Sequence, residues 1–199
     1  MLLVLDPSAA ATELTAGRLD CTENGCCGVL GPWGYARTRR LRLGPGRTQA
    51  HTPRRARCRT CLRTHVLVPA TSYPRRPDSV ETVGAALLGA VRGLGYRRVA
   101  DEVGVPTTTV RGWLQRARAN SETIRVNATI AACVLDPMLG SIQPKGSPLA
   151  DMVEAVGVAV AARVRRLGPG APPWQLALII TIGGILAPRV RQFVCYPPR

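Results

Sequence analysis

Residues 97–118 read RRVADEVGVPTTTVRGWLQRAR, and this stretch decides how the middle of the chain folds. Gly104 stands where a first helix has to end, because glycine readily adopts the positive φ that such a turn requires. Ala100, one helical turn earlier, is small enough to let two helices approach closely. Pro106 falls in the first turn of a second helix, where proline is tolerated. Apolar residues recur at a helical period on both sides of the turn; they are Val99, Val103, Val105, Val110 and Trp113.

The outward side of the second predicted helix, which spans Thr107 to Arg118, is polar. Its candidate contact residues are Thr107, Thr108, Arg111 and Gln115. Such side chains can hydrogen-bond to phosphates and to base edges. In a helix-turn-helix, the second helix lies in the DNA major groove. The stretch therefore predicts a helix that reads DNA, and the alternative is a helical hairpin inside an ordinary core.

The overall charge favours a polyanionic partner. The chain has 199 residues and a formal net charge of +15, and Lys145 is its one lysine, so arginine carries nearly all of the positive charge. Arginine forms forked hydrogen bonds to phosphate and to guanine. Aromatic residues make up 4% of the chain, which argues against a large stacking platform for single-stranded nucleic acid.

Seven cysteines include two clusters in the first third of the chain. Cys58 and Cys61 have the C-x-x-C spacing of a metal-binding knuckle. No secretory signal is recognisable, so we expect a cytoplasmic, nucleoid-associated protein whose thiols stay reduced and bind metal. Four thiolates around one structural Zn²⁺ would form a zinc ribbon and supply folding energy that so small a unit lacks.

The first cysteine cluster leaves one ligand open. In the sequence CTENGCCG, Cys21 is followed by both Cys26 and Cys27. Cys26 keeps the preceding glycine of a standard knuckle and Cys27 keeps the following glycine, so the spacing leans only slightly to Cys26. His51 and His65 are reserve ligands. The alternative is that the cysteines are small buried hydrophobic residues.

The segment between the two clusters predicts strands around a turn at Gly44-Pro45-Gly46. GYARTRRLRL before the turn and QAHTPRRAR after it are expected to pair, and Thr64 to Val68 forms the next strand. Met1 to Leu5 predicts an edge strand, and residues 8–18 predict a short helix that ends at Gly17.

The same segment is rich in arginine. No acidic residue occurs between Glu23 and Asp78, and charge of one sign over such a span attracts phosphate. Arginines at alternate positions would share one face of a strand, as for Arg37 and Arg39. The candidate DNA-backbone contacts are Arg37, Arg39, Arg54, Arg55 and Arg57.

Prolines in residues 69–77 predict a linker, since proline continues neither a strand nor a helix interior. Asp78 is predicted to cap the next helix, with Glu81 completing a capping box. This helix extends to about Arg92, where Gly93-Leu94-Gly95 ends it, and it would support the helix-turn-helix that follows.

Residues 15 to 120 resemble the N-terminal DNA-binding region of insertion-sequence transposases. They also resemble small, uncharacterised actinobacterial proteins that combine a zinc ribbon with a helix-turn-helix. A cysteine knuckle, GYARTRR and RRARCRTCLRTHVLVP carry the resemblance, and the TEN insertion in the first knuckle departs from it. The resemblance implies DNA binding, with a metal held by Cys21, by Cys26 or Cys27, and by Cys58 and Cys61.

Beyond Arg118 the pattern changes. Residues 120–148 are mixed and carry loop signals, whereas Asp151 to Leu167 predicts an amphipathic helix. Trp174 to Ala187 is apolar but shorter than the roughly 20 residues that span a bilayer, so it predicts a buried or interface helix and no membrane partner. We expect the two helices to pack as a hairpin and to hold a homodimer through residues 151–187, since dimers let a helix-turn-helix read two half-sites.

These patterns favour a non-catalytic, sequence-specific double-stranded DNA-binding protein that is transposase-derived or resembles a transcription regulator. The alternatives are a subunit or remnant of an active transposase or recombinase, and an RNA-binding zinc-ribbon protein. Metal-dependent strand transfer needs several converging carboxylates, and no catalytic residue is assigned. The carboxylates available after the helix-turn-helix are Glu122, Asp136, Asp151 and Glu154.

The expected fold class is α+β. A small zinc-ribbon β unit precedes a mainly helical helix-turn-helix domain and a C-terminal helical hairpin. The predicted boundaries are 1–68 for the N-terminal segment and ribbon, 69–77 for the linker, 78–120 for the helix-turn-helix, and 121–199 for the C-terminal helices, loop and tail.

Overall fold

The computed structural model describes residues 1–187. Strands occupy the N-terminal third of the chain and helices the rest, so the predicted α+β class is confirmed. Two hydrophobic cores form, a small one under the sheet and a large one among the helices. The predicted tail, which includes Cys195, lies outside the described residues.

The main sheet has four strands in the order β1-β6-β5-β2. β1 lies at the sheet edge, as predicted. It runs parallel to β6, and the other pairs are antiparallel. Helix α1, capped by Asp6, packs on the sheet and buries Leu14 in the small core. The strands are β1 (Leu2–Val4), β2 (Leu30–Tyr35), β5 (Arg54–Cys58) and β6 (Thr64–Pro69), and α1 is Pro7–Thr15.

The turn at Gly44-Pro45-Gly46 joins β3 (Arg39–Gly44) to β4 (Arg47–His51), which confirms the predicted hairpin. The two long strands expected on either side are each divided in two, so this part of the prediction is wrong. Pro53 interrupts one side, and Arg37 lies in the break between β2 and β3 on the other. Arg37 and Arg39 therefore do not belong to one strand.

Helix α2 (Val80–Val91) begins one residue later than predicted. Its cap is Ser79, whose side chain accepts a hydrogen bond from the amide of Thr82, and not Asp78. Asp78 is instead buried and paired with Arg42 of β3. The expected linker before α2 is packed, because Ala70 and Tyr73 lie in the helical core.

Helix α3 (Tyr96–Val103) and helix α4 (Thr107–Leu135) are joined by a tight turn. Gly104 has φ +65° and ψ +37°, the left-handed conformation predicted for it. The apolar residues predicted to face inward are buried, and these are Val99, Ala100, Val103, Val105, Val110 and Trp113.

α4 continues far beyond the predicted end near Arg118. Asn120 lies buried in its middle, and its Nδ2 donates to the carbonyl oxygens of Gly184 and Ala187 at 3.1 and 2.9 Å. The expectation of mixed structure from residue 120 is therefore wrong up to residue 135. A loop does follow, over residues 136–147.

Helices α5 (Pro148–Leu167) and α6 (Pro173–Ile180) contact each other, as the predicted hairpin requires. Their apolar sides pack on α2 and α4 of the same chain, where Met152, Val156 and Leu176 are fully or nearly fully buried. The second helix is shorter than predicted, because a turn with Gly183 at φ +71° separates it from a short 3₁₀ helix. Within residues 1–187, no helix is both long and apolar enough to cross a membrane.

The β3–β4 hairpin contacts the helical part of the molecule at two places. Arg42 pairs with Asp78 just before α2. Pro45, at the hairpin tip, lies so close to the α3–α4 turn that a Cβ placed on Gly104 would be 2.7 Å from its Cγ. The hairpin therefore joins the cysteine-bearing sheet to the two-helix unit.

Candidate functional site

Four cysteines from two loops converge at one end of the sheet. The Sγ atoms of Cys21, Cys26, Cys58 and Cys61 all lie within 4.8 Å of one another. The pairs Cys21–Cys61 and Cys26–Cys58 are 3.7 and 3.6 Å apart, far longer than a disulfide bond. Among residues 1–187, this is the one group of cysteine, histidine or acidic side chains that could hold a metal ion.

The geometry separates the two candidates for the second ligand. Cys26 is half-buried and joins the cluster, whereas the neighbouring Cys27 is exposed and outside it. The longer loop folds back because the amide of Cys26 donates to the carbonyl of Glu23 at 3.1 Å. Gly25, at φ +75°, provides the tight turn. The TEN insertion thus leaves the position of the Cys26 thiol compatible with the cluster.

Backbone amides point at the thiols of both knuckles. The Sγ of Cys58 accepts hydrogen bonds from the amides of Thr60 and Cys61 at 3.3 and 3.4 Å. The Sγ of Cys26 accepts from the amide of Gly28 at 3.4 Å. Amide donors of this kind stabilise a thiolate over a thiol, so both loops are arranged for negatively charged sulfur.

The pKa values of Cys58 and Cys21 are shifted in opposite directions. Burial raises the pKa of Cys58, but the amides of Cys61 and Thr60 and the neighbouring thiols outweigh it and bring that pKa to about 6. For Cys21, the amide of Glu23 lowers the pKa, while burial and the other three thiols raise it to about 12. The thiols therefore lose their protons as one coupled group.

Gly28 is required by the close approach of the two knuckles. A Cβ at this position would lie 2.5 Å from the Oγ1 of Thr60 and 2.7 Å from the Sγ of Cys58. Its amide is also the donor to Cys26. A side chain at residue 28 would therefore push the two loops apart and open the thiol cluster.

The two reserve histidines lie outside the four-thiol group. His65 is buried next to it, with Nε2 3.7 Å from the Sγ of Cys21. Burial lowers the pKa of His65, which keeps the imidazole neutral. His65 lies outside the four-thiol group and can therefore donate an N–H to the sulfur of Cys21. His51 lies on β4 and is not part of the cluster.

The predicted contact residues of the second helix lie in the first three turns of α4. Thr108, Arg111 and Gln115 are exposed, and their spacing of three and four residues puts them on one side of the helix. Thr107, the first residue of α4, is half-buried. Val110 and Trp113 are buried in the core and hold the opposite side of the helix.

The predicted backbone-contact arginines are spread over the sheet and its hairpin. Arg37 and Arg39 are exposed, and Arg55 is half-buried on β5. Arg54 and Arg57 do not extend freely into solvent, because their guanidinium groups stack on aromatic rings. The Cζ of Arg54 is 5.4 Å from the centroid of Tyr35, and that of Arg57 is 4.5 Å from the centroid of Trp33.

Two surface residues were missed by sequence reasoning. Trp33 and Leu62 are 48% and 57% exposed and line the same groove on the sheet. Leu62 also has φ +61°, in the left-handed region that favours glycine. Leucine directly after Cys61, where a knuckle normally carries glycine, was the one available sequence signal.

Comparison of the chain with models of known protein families, with curated proteins and with solved structures gives no match. Evidence for a function therefore comes from the thiol cluster, the exposed side of α4 and the arginine-rich strands themselves.

Proposed function

We propose that this chain is a non-catalytic, sequence-specific double-stranded DNA-binding protein in which a zinc ribbon supports a helix-turn-helix. The single observation that carries the proposal is the α3–α4 unit, with its left-handed Gly104 turn, buried inward side and exposed Thr108, Arg111 and Gln115. We further propose that it derives from a transposase DNA-binding region and acts in the cytoplasm on the nucleoid.

The length of α4 fits this role. Its first three turns, up to about Arg118, carry the exposed polar side, and the rest of the helix packs on α5 in the large core. A recognition helix inserted in a groove must be held rigidly from behind, because side chains read bases only at fixed positions. Anchoring by α5 leaves the N-terminal end of α4 free to approach DNA.

Zinc is the metal that best fits the thiol cluster. Zn–S bonds of about 2.3 Å in tetrahedral geometry separate neighbouring sulfur atoms by about 3.8 Å. Two of the six sulfur–sulfur distances, 3.7 Å for Cys21–Cys61 and 3.6 Å for Cys26–Cys58, agree with this spacing, and all four sulfur atoms lie within 4.8 Å of one another. Four thiolates form a closed site with no open position, which suits a structural rather than a catalytic ion.

The charge distribution supports a phosphate partner. The residues between Glu23 and Asp78 include no acid, and exposed arginines such as Arg37 and Arg39 occur there. The β3–β4 hairpin, which carries several of these arginines, contacts the α3–α4 turn through Pro45 and Gly104. Backbone phosphates on either side of a major groove occupied by α4 would therefore lie near this hairpin.

The four carboxylates that follow Arg118 fit a non-catalytic role, since each already contacts another residue of the chain. Glu122 pairs with Arg125 at 2.7 Å, and Asp136 with Arg165 at 2.8 Å. Glu154 pairs with Lys145 at 3.4 Å, while Asp151 accepts a hydrogen bond from the Lys145 amide. Metal-dependent strand transfer would need such groups to converge.

The test is selection of bound sequences from random duplex DNA, with zinc measured on the same protein sample. We expect an enriched sequence and one zinc per chain. Failure to enrich any sequence would contradict sequence-specific binding. Preferential binding of RNA over the enriched duplex would favour the RNA-binding alternative, and cleavage of the duplex with Mg²⁺ or Mn²⁺ would favour a recombinase.

A further inference from the structure

An open groove of about 360 Å³ lies on the sheet beside the second knuckle. The groove is lined by the apolar side chains of Trp33 and Leu62 and by the cationic side chains of Arg57 and Arg59. Its volume falls at the lower end of the range for small-molecule sites, which is about 300–1,000 Å³. The groove is separate from the exposed side of α4.

Trp33 is presented to the groove by an irregularity in β2. Pro32 pairs with Ala56 and Tyr35 with Arg54, so two residues of β2 oppose one of β5. Gly34 has φ +74°, as is usual where such a bulge bends a strand. Bulges re-aim side chains, and here the indole remains about half exposed in place of packing in the core.

The guanidinium of Arg57 lies over the indole ring of Trp33. Its Nε donates to the carbonyl oxygen of Leu62 at 3.1 Å, and its Cζ lies 4.5 Å from the centroid of Trp33. That carbonyl is positioned by the left-handed backbone of Leu62, a conformation that disfavours a leucine side chain. Two planar groups, an indole and a guanidinium, are thus fixed at one place on the surface.

Gly31 keeps the groove open on the other side. A Cβ at this position would stand 3.3 Å from the Nε of Arg59, which is tighter than ordinary contact. Without a side chain at residue 31, the Arg59 guanidinium can lie along the strand next to the indole. Arg57 and Arg59 therefore place two positive charges in the groove beside the apolar side chains of Trp33 and Leu62.

We propose that this groove binds an unpaired nucleotide of a single-stranded nucleic acid, with the base stacked on an open face of the Trp33–Arg57 pair and a phosphate paired with Arg59. Flat bases stack on aromatic and guanidinium planes, and this interaction is insensitive to sequence. The charge excludes a cationic ligand, and the flat, half-exposed indole favours a base over a bare phosphate. One such site is compatible with the low aromatic content, which argues only against an extended platform.

This site goes beyond duplex binding by α4. A groove for an unpaired base would let the sheet hold a displaced or frayed strand while α4 holds the adjacent duplex. Single-stranded DNA and RNA share the chemistry recognised here, and the experiment separates them.

The zinc-loaded full chain is titrated with a short oligothymidylate, an oligouridylate and a random duplex while tryptophan emission is recorded. Trp113 is buried and Trp174 packs against Gly84, so Trp33 is the tryptophan best placed to be quenched by a stacked base. We expect oligothymidylate to quench the emission and Trp33→Phe to remove the quenching. Trp33→Ala should weaken oligothymidylate binding about tenfold, whereas its affinity for duplex should be unchanged.

The neighbouring aromatic residue of β2 provides a matched control. Tyr35→Ala removes an aromatic ring that is 58% exposed on the same strand, and its partner Arg54 lies instead beside α1 near Ala11 and Thr15. Tyr35→Ala should bind oligothymidylate within about twofold of the wild type. Arg57→Lys keeps the charge but loses the planar guanidinium, so it should weaken oligothymidylate binding as much as Trp33→Ala does.

Three results would overturn the inference. The first is unquenched emission with both single strands, and the second is a Trp33→Ala variant that binds them like the wild type. The third is displacement of oligothymidylate by polyglutamate as efficiently as by unlabelled oligothymidylate, which would assign the groove to an acidic protein. If oligouridylate binds as tightly as oligothymidylate, the site stands and accepts both single-stranded RNA and single-stranded DNA. Because duplex binding is measured in parallel, this inference can fail while the proposed function stands.

Discussion

The Nε of Arg42 donates a hydrogen bond to the Oδ1 of Asp78 at 2.7 Å, and this ion pair ties the β3–β4 hairpin to the start of α2. Asp78 is 1% exposed. A backbone hydrogen bond joins the same two segments, since the amide of Ser79 donates to the carbonyl of Arg42 at 2.9 Å. The buried carboxylate of Asp78, at the start of α2, is therefore neutralised by a guanidinium from the β3–β4 hairpin.

Arg42→Met should destabilise the chain by about 2–4 kcal/mol, because it leaves the buried Asp78 carboxylate without its cation. Adding Asp78→Asn should recover part of this loss, since the amide carries no charge. Urea denaturation of the two variants and the wild type measures both effects. Equal stability of Arg42→Met and the wild type would show that the pair contributes nothing.

The contact between Gly104 and Pro45 is tested by comparing two glycines. Gly104→Ala and Gly46→Ala both force alanine into positive φ, which costs about 1–2 kcal/mol. A Cβ at residue 104 would also overlap Pro45, whereas a Cβ at residue 46 would have no other residue within 4 Å beyond its chain neighbours. We expect Gly104→Ala to lose about 1–3 kcal/mol more than Gly46→Ala in thermal or urea unfolding. Equal losses would mean that the hairpin tip does not press on the α3–α4 turn.

Replacing Cys58 and Cys61 by serine should remove the bound zinc and unfold the sheet. The small core under the sheet contains few side chains, so it depends on the metal, whereas the helical core is large and independent. Metal analysis and circular dichroism should show loss of zinc with the helical signal retained. Cys27→Ser and Cys133→Ser, both at exposed positions outside the cluster, are the controls and should keep zinc. Wild-type protein without stoichiometric zinc after growth in zinc-replete medium would refute the site.

A homodimer through residues 151–187 stays a prediction. Most apolar side chains of this range pack within the chain, and the large ones that remain exposed are Leu167 and Ile182, at 56% and 53%. If these residues form the interface, Leu167→Glu should reduce the mass measured by light scattering from dimer to monomer, with helicity unchanged. A monomeric wild type, or a variant that stays dimeric, would exclude this interface.

Local patterns predicted the parts of the fold that depend on nearby residues. The Gly104 turn follows from a glycine at a required positive φ, and the buried side of the helix pair follows from its apolar period. The hairpin follows from Gly44-Pro45-Gly46. In each case the residues that determine the structure lie within a few positions of one another.

The sequence predictions were wrong or left open where a residue far away in the chain determines the local structure. Asn120 has a low helix propensity, yet it continues α4 because its side chain satisfies carbonyls more than 60 residues away. Asp78 and Ser79 are both good caps, and Asp78 is taken by Arg42, 36 residues earlier. The choice of Cys26 over Cys27 depends on how the loop after Cys21 folds back, which spacing alone does not determine.

We propose that α4 reads base sequence while the arginines of the sheet contact the phosphate backbone. Arg111 is exposed on the polar side of α4, and Arg55 is half-buried on β5. Both variants, Arg111→Ala and Arg55→Ala, remove one positive charge. The two variants therefore form a matched pair that separates recognition of the base sequence from contact with the phosphate backbone.

The most direct measurement is a salt titration of Arg111→Ala and Arg55→Ala on the selected duplex and on random duplex DNA. Arg111→Ala should cost about 1–3 kcal/mol on the selected sequence and little on random DNA, because it removes a contact to guanine. Arg55→Ala should weaken both duplexes alike and reduce the salt slope by about one. If Arg111→Ala weakened both duplexes equally, α4 would not read sequence, and the assignment of Thr107 to Arg118 as the recognition helix would be wrong.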